Sequence, residues 1–432
     1  MALDTDAASR VIAQIDRDEL AQLGCDLTSI PSPTGQEREV AEFILAWFRA
    51  QGLKAVAQEV EAGRPNAIGI LKGSGGGLSL GFNGHTDTSF TGTAEDLRMV
   101  RAVEPESELR GSIVDGKVRG LGISNMKGGV AAFMIAAKAL RASGVALKGD
   151  VVFAAVVGEI SRTPVGPWQS KEYRGEGAGT RHLLTHGMHT DYAVVADCSD
   201  LNVVWTQTGV VQLKIAAFGT AEAAWGSDRA KAPMAEMNAI VKMTRVIAAV
   251  EQWGEAFERQ YVYQSPTGPL YPKVNIGAIE GGAPYRPNYY PGVCTIYVDI
   301  RMPPQVRPVT IKAELEQVLD ALGIEYEMEL YKSLLGHEGK GVEPLVSAAE
   351  GIYRHLFDQP LRHESPDRAS IWTDTNIYNE LGIPAIKIGP RGRRIGPRAE
   401  EIEIDTMVKA AKIYALMALD ICARARPPVA RG

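Results

Sequence analysis

The chain has 432 residues, 45% of them hydrophobic, and a mean hydropathy of −0.08, which suits a soluble protein of about two or three domains with a sizeable core. A net charge of −6, a pI near 5.8 and the lack of a basic stripe exclude nucleic acid as a partner. No run approaches bilayer length, the N-terminus has no apolar signal segment, and Cys25, Cys198, Cys294 and Cys422 lie too far apart for a CxxC pair, so the expectation is a cytoplasmic protein with no membrane contact, disulfide framework or thiolate zinc site.

Apolar residues at helical spacing (Val11, Ile12, Ile15, Leu20, Leu23) predict a helix over 7–25, and a turn-rich segment, 29–35, leads to a second amphipathic helix over 37–51. Asn66 to Lys72 and Leu78 to Phe82 read as two strands joined by a turn containing Gly73, Gly75, Gly76 and Gly77; a phosphate loop would open a helix, and here a strand follows. That strand empties into Asn83-Gly84-His85-Thr86-Asp87, at the edge where open α/β sheets bind ligands. A helix is predicted over 130–143, and an apolar strand over 150–157, of the kind covered on both faces, ends in Glu159. A further strand over 192–196 ends in Asp197. The pattern then changes to strand 210–218, helix 235–250, strands 273–279 and 293–302, and helix 310–322. Helix 345–357, strand 385–388 and helix 406–423 resume the alternation. The expected architecture is one α/β domain built from residues 1–208 and 324–432, with a smaller α+β domain, 209–323, inserted.

His85 and Asp87 point the same way in extended backbone, so the carboxylate orients the imidazole while its other nitrogen faces a metal. With Asn125, Glu159 and Asp197, which also fall at strand ends or loops, they form a mixed nitrogen and oxygen set suited to manganese, zinc, iron(II) or cobalt. His182, His186 and His189 read as a wet helix end, since no HExxH pattern accompanies them. Trp225 stands open between stacking an aromatic substrate and core packing, and Arg391, Arg393, Arg394 and Arg398 between binding an anion and simple solvation.

The order of Ser32-Pro33-Thr34-Gly35 and Glu37, GHTDT (84–88), GLGISNMKGG (120–129), VVGEI (156–160), VVADCS (194–199) and GIPAIKIGP (382–390) resembles the M20 metallopeptidase family of aminoacylases, deacetylases and carboxypeptidases, over nearly the whole chain. The resemblance implies a catalytic domain with a mixed central sheet flanked by helices, and an inserted lid or dimerisation domain. It assigns His85 and Asp197 to a metal and Asp87 to orienting His85. Asn125 stands where the family has an aspartate bridging two metals, and Glu159 stands alone where it has paired glutamates. No histidine occurs in 391–401, where the family binds its second metal, or in 219–226, where it polarises the scissile carbonyl.

These departures lead to an expectation of one divalent transition metal per subunit, manganese or else zinc, iron or cobalt, held by His85, Asn125 and Asp197. Glu159 and Asp87 are the catalytic residues expected, and Arg286, Asn288 and Trp225 the substrate contacts. An oxyanion donor is worth about 3 kcal/mol, so without one an unactivated amide is a poor substrate. The expected function is hydrolytic cleavage of a C–N bond in an activated aromatic amine, as in an aberrant branch of the family that exchanges a ring amino group for hydroxyl on one metal. The alternatives are an N-acyl amino acid amidohydrolase, deacetylase or M20-type peptidase, and a catalytically inactive binding protein. A small-molecule substrate and a homo-oligomer, dimer or higher, complete the expectation.

Overall fold

The first expected helix is two, Thr5–Ile12 and Arg17–Ser29, each with its own cap: Asp4 accepts the N–H groups of Asp6 and Ala7, and Asp16 that of Glu19. The computed structural model describes residues 4–90, 96, 109–226, 228, 233–363 and 371–427. Contacts divide the chain into one unit of Met1–Trp205, Gly339–Glu364 and Thr373–Gly432, and a second of Thr206–Glu338 and Ser365–Trp372.

In chain order, the first unit contributes β1 (Lys54–Glu61), β2 (Arg64–Leu71), β3 (Leu80–His85), β4 (Ser112–Val114), β5 (Lys117–Arg119), β6 (Val151–Val156) and β7 (Tyr192–Val195). The second contributes β8 (Thr206–Gln207), β9 (Gly209–Phe218), β10 (Tyr263–Ser265), β11 (Gly268–Leu270), β12 (Lys273–Gly281), β13 (Val293–Met302), β14 (Tyr326–Leu334) and β15 (His337–Glu338). The return to the first unit adds β16 (Ala385–Lys387), β17 (Gly392–Arg394) and β18 (Glu400–Glu403).

The central sheet is mixed, in the order β1-β2-β6-β3-β7-β16, with β6, β3, β7 and β16 parallel. Its flanking helices give the α/β class expected. Phe82 and Phe153 stack at 5.4 Å, and Phe48, Phe133 and Tyr414 from three helices pack around them, which fixes one buried face. The glycine segment joins β2 to β3, the two strands expected on either side of it, but not as a hairpin, because β6 lies between them. Its glycines serve a close crossing instead: a Cβ on Gly73 or Gly77 would meet the 148–149 backbone at 2.4 or 2.3 Å.

In the second unit, the sheet order is β12-β13-β9-β14. Its core combines Leu213, Ile215, Ile296 and Val298 with Met243 and Val250 of helix Ala239–Gln260 and Leu315 of helix Pro308–Asp320. β14 pairs with β9 across nearly its whole length, so the chain returns to the first unit at Gly339 and not at 324. Tyr326, Met328 and Leu330 alternate with Glu327 and Glu329, a period-two pattern that marks this strand. Among the described residues no helix is long and apolar enough to cross a membrane.

One buried ion pair braces the first unit beneath its ligand edge. Arg64 reaches both oxygens of Glu37, at 2.9 and 2.7 Å, with both side chains fully buried. Removing one partner strands the other charge, so Glu37→Ala is expected to cost about 3–5 kcal/mol of stability in a denaturant titration. Exposed pairs such as Arg38–Glu42 are expected to be worth under about 1 kcal/mol.

Candidate active site

β3 runs parallel between β6 and β7, with His85 opposite Val156 and Asn83 opposite Val195. Three carboxyl-terminal strand ends therefore deliver His85, Glu159 and Asp197 to one edge of the sheet, the position that parallel sheets offer to ligands. His85 is the last residue of β3, which runs three residues past Phe82, where the sequence reading ended the strand. Asn83 shares its face by the two-residue period and donates from Nδ2 to Thr180 Oγ1 at 2.8 Å. Gly84 faces the other way, where a Cβ would come within 2.9 Å of Met126 and Val130.

The His85 imidazole is 2% exposed and touches three groups. Nδ1 lies 3.1 Å from the Asp87 carbonyl oxygen and 3.3 Å from the Asp87 carboxylate, so backbone and side chain share the orienting role that the sequence reading gave to the carboxylate alone. Nε2 lies 2.9 Å from Asn125 Oδ1 and 3.3 Å from Glu159 Oε2. Asp87 also accepts the Thr34 hydroxyl at 2.8 Å and the N–H groups of Glu159 and Ile160 at 3.0 and 3.1 Å. One buried carboxylate thus fixes both the imidazole and the loop that carries Glu159. Ser32 donates its hydroxyl to the Thr86 carbonyl at 2.6 Å, which explains why the Ser-Pro-Thr-Gly segment accompanies the histidine motif.

Asn125 sits in the wide π-type turn Ile123–Lys127, with non-helical backbone angles of its own (φ −124°, ψ 89°), ahead of helix Gly128–Ala142. The two glycines after Lys127 are packing requirements: a Cβ on Gly128 would lie 2.4 Å from Ile402, and one on Gly129 only 1.9 Å from the Ala196 carbonyl, next to Asp197. Lys127 donates to the carbonyls of Leu27 and Ile30, and burial lowers its pKa to about 7.

Burial alone would lower the His85 pKa, but the charges of Glu159, Asp87 and Asp197 outweigh it and hold the imidazole well above its usual range. Glu159 is pushed well up by burial, opposed by His85 and reinforced first by Asp374, then by Asp197 and Asp87. Asp374 escaped the sequence reading. It is 1% exposed, accepts the Thr180 hydroxyl at 2.6 Å through Oδ2, leaves Oδ1 without a hydrogen-bond partner among the described residues, and is raised to about 6, mainly by burial.

Among the described residues, no three His, Cys, Asp or Glu side chains close around a common point by themselves, and the amide oxygen of Asn125 lies beside His85 Nε2 as a further oxygen donor. The surroundings fit a cation: buried carboxylates crowd a single imidazole, and the donors are imidazole, amide and carboxylate. Raised pKa values for His85, Glu159 and Asp374 stabilise the metal-free fold at low pH, and that contribution is lost as pH rises through each folded value, near 6 for Asp374. The metal-free protein is expected to melt at lower temperature as pH rises from about 5 to about 8. Added divalent cation should raise the melting temperature more at the upper end, since the His85 proton must leave first.

The proposed substrate contacts all lie in the second unit. Trp225 is 83% exposed; the Ala224 N–H donates to the Asn288 carbonyl at 2.9 Å, and the Arg286 guanidinium stacks 4.1 Å from the Tyr289 ring. The structure brings these three residues to one exposed corner. In the first unit, the arginine cluster is largely engaged in ion pairs, Arg391 with Asp200 and Glu403, and Arg393 with Glu401.

The model of Peptidase family M20/M25/M40 matches residues 81–420. The N-formyl-4-amino-5-aminomethyl-2-methylpyrimidine deformylase of Bacillus subtilis is 25% identical over 434 residues, covering 94% of this chain and 96% of its own. Human carnosine dipeptidase 1 superposes with a TM-score of 0.73 at 15% identity, over 96% of this chain and 98% of that one. A dinuclear metal-binding M20 peptidase of Bacillus subtilis superposes with a TM-score of 0.60 at 16% identity, over 94% and 98%. The motifs gathered at the ends of β3, β6 and β7 fall within the matched span, and the chain belongs to peptidase family M20/M25/M40, as a metal-dependent hydrolase of carbon–nitrogen bonds.

Proposed function

We propose that this hydrolase removes the amino group of an activated aromatic amine, converting 5-nitroanthranilate to 5-nitrosalicylate and ammonia, with one divalent transition metal per chain. The observation that carries the reading is the neutral amide of Asn125, 2.9 Å from His85 Nε2, where a shared carboxylate would be needed to join two cations. The isolation of Glu159 between Gly158 and Ile160 supports it.

His85, Asn125 and Asp197 would hold the ion, with manganese the first choice and zinc, iron and cobalt as substitutes. When bound, such an ion lowers the pKa of a water it holds to about 7 and so supplies a nucleophile at neutral pH. Glu159, 3.3 Å from the ligating nitrogen, takes the proton from the attacking water. A C–O bond forms at the ring carbon, and the nitro group takes up the negative charge. The C–N bond then breaks with its electron pair on nitrogen, which receives the proton from Glu159 and leaves as ammonia. Asp87 acts by fixing His85 and the Glu159 loop. Arg286 and Asn288 grip the substrate carboxylate, for which a guanidinium fork is suited, and Trp225 stacks on the ring. The catalytic part comprises the first unit and the lid the second, working as a homo-oligomer in the cytoplasm.

Incubating the manganese-loaded protein with 5-nitroanthranilate tests the reading. Stoichiometric ammonia and 5-nitrosalicylate are expected, and neither would form if it is wrong. The deformylase likeness favours a second reading, hydrolysis of an N-formyl or other N-acyl amine; release of formate from an N-formyl aminopyrimidine in place of ammonia would select it.

A further inference from the structure

Asn125 and Asp197 come from distant parts of the sequence, yet a short chain of contacts ties them together through residues with no role above. Cys198 donates its backbone N–H to Asp197 Oδ1 at 2.8 Å and its thiol to the Ser124 carbonyl at 2.7 Å. Ser124 immediately precedes Asn125. On the other side of that turn, Glu400 of β18 accepts the N–H groups of both Ser124 and Asn125 on one oxygen, Oε2, at 2.9 and 3.1 Å.

β17 closes over the contact. A Cβ on Gly392 would lie 2.3 Å from Ser124 Oγ and 3.0 Å from Cys198 Sγ, so only a glycine lets that strand rest on the pair. The peptide between Ser124 and Asn125 is therefore held by the thiol on its preceding carbonyl and by a carboxylate on its N–H. An alanine at 198 would leave the Ser124 carbonyl without this donor, and the turn would be free to shift relative to Asp197.

We propose that Cys198 and Glu400 are positioning residues that fix the Asn125 amide oxygen and the Asp197 carboxylate at the separation a divalent cation requires. The inference rests on the reading of Asn125 and Asp197 as its donors. Groups that orient ligands in this way typically contribute about 10–100-fold in metal affinity.

The test is calorimetric titration of the full-length metal-free chain with Mn²⁺ alone, for Cys198→Ala, Cys198→Ser, Glu400→Gln and His85→Ala. Cys198→Ala should weaken Mn²⁺ binding about 10–100-fold and broaden the electron paramagnetic resonance lines of the bound ion. Cys198→Ser loses similar packing but keeps a donor, and should recover most of the affinity; Glu400→Gln, which replaces the charged acceptor of both N–H groups by a neutral amide, should weaken Mn²⁺ binding, though less than Cys198→Ala does. Equal Mn²⁺ affinity in the alanine and serine variants, whether tight or weak, would overturn the positioning role. Tight binding in His85→Ala would instead overturn the donor set itself, so the two failures are told apart.

Discussion

His85→Ala is expected to abolish Mn²⁺ binding at micromolar concentration and to reduce turnover below detection. The loss of a group that merely orients a ligand costs about 10–100-fold in affinity, and here the only imidazole of the site would go, with both nitrogens engaged by Asp87, Asn125 and Glu159. The substitution also removes a positive group that offsets the charges of Glu159, Asp87 and Asp197. The metal-free variant should therefore melt below the parent at neutral pH, and the deficit should shrink in acid as Glu159 and Asp374 become neutral. Calorimetric titration with Mn²⁺ and melting curves at two pH values check both parts.

Glu159→Gln should separate chemistry from binding. A general base typically contributes about 10²–10⁴-fold, so kcat should fall by that factor while metal content and KM stay near the parent values. The backbone N–H of residue 159, which Asp87 accepts, is untouched by the change. Because burial and the neighbouring acids push the Glu159 carboxyl well up, replacing it with a neutral isostere should raise the melting temperature of the metal-free protein above pH 7. A variant more stable and less active than the parent is the expected signature of a group kept for function at the expense of stability.

The sequence displayed His85 and Asp87 clearly because a two-residue period and an apolar strand are local signals. Glu159 and Asp197 were legible for the same reason, each following a run that the parallel sheet buries on both faces. Asp374 was not. It precedes the short helix Thr375–Glu380 in a polar turn, and joins the site only because Thr180, from a helix far away in sequence, accepts from Asn83 and donates to it. That β2 and β3 are not neighbours was hidden for a related reason, since the strand that separates them comes much later in the chain. β14 was within reach of the sequence, since Tyr326, Met328 and Leu330 alternate there with Glu327 and Glu329. The contacts that join Cys198 to Ser124, and Glu400 to Ser124 and Asn125, run through backbone atoms, which side-chain patterns do not report.

The number of metal ions held by each chain tests the central claim most directly. Protein loaded with excess Mn²⁺ and freed of loose ions by gel filtration should retain one ion per chain by atomic emission, because the amide of Asn125 cannot serve as the shared anionic bridge. Two tightly held ions per chain would contradict the account.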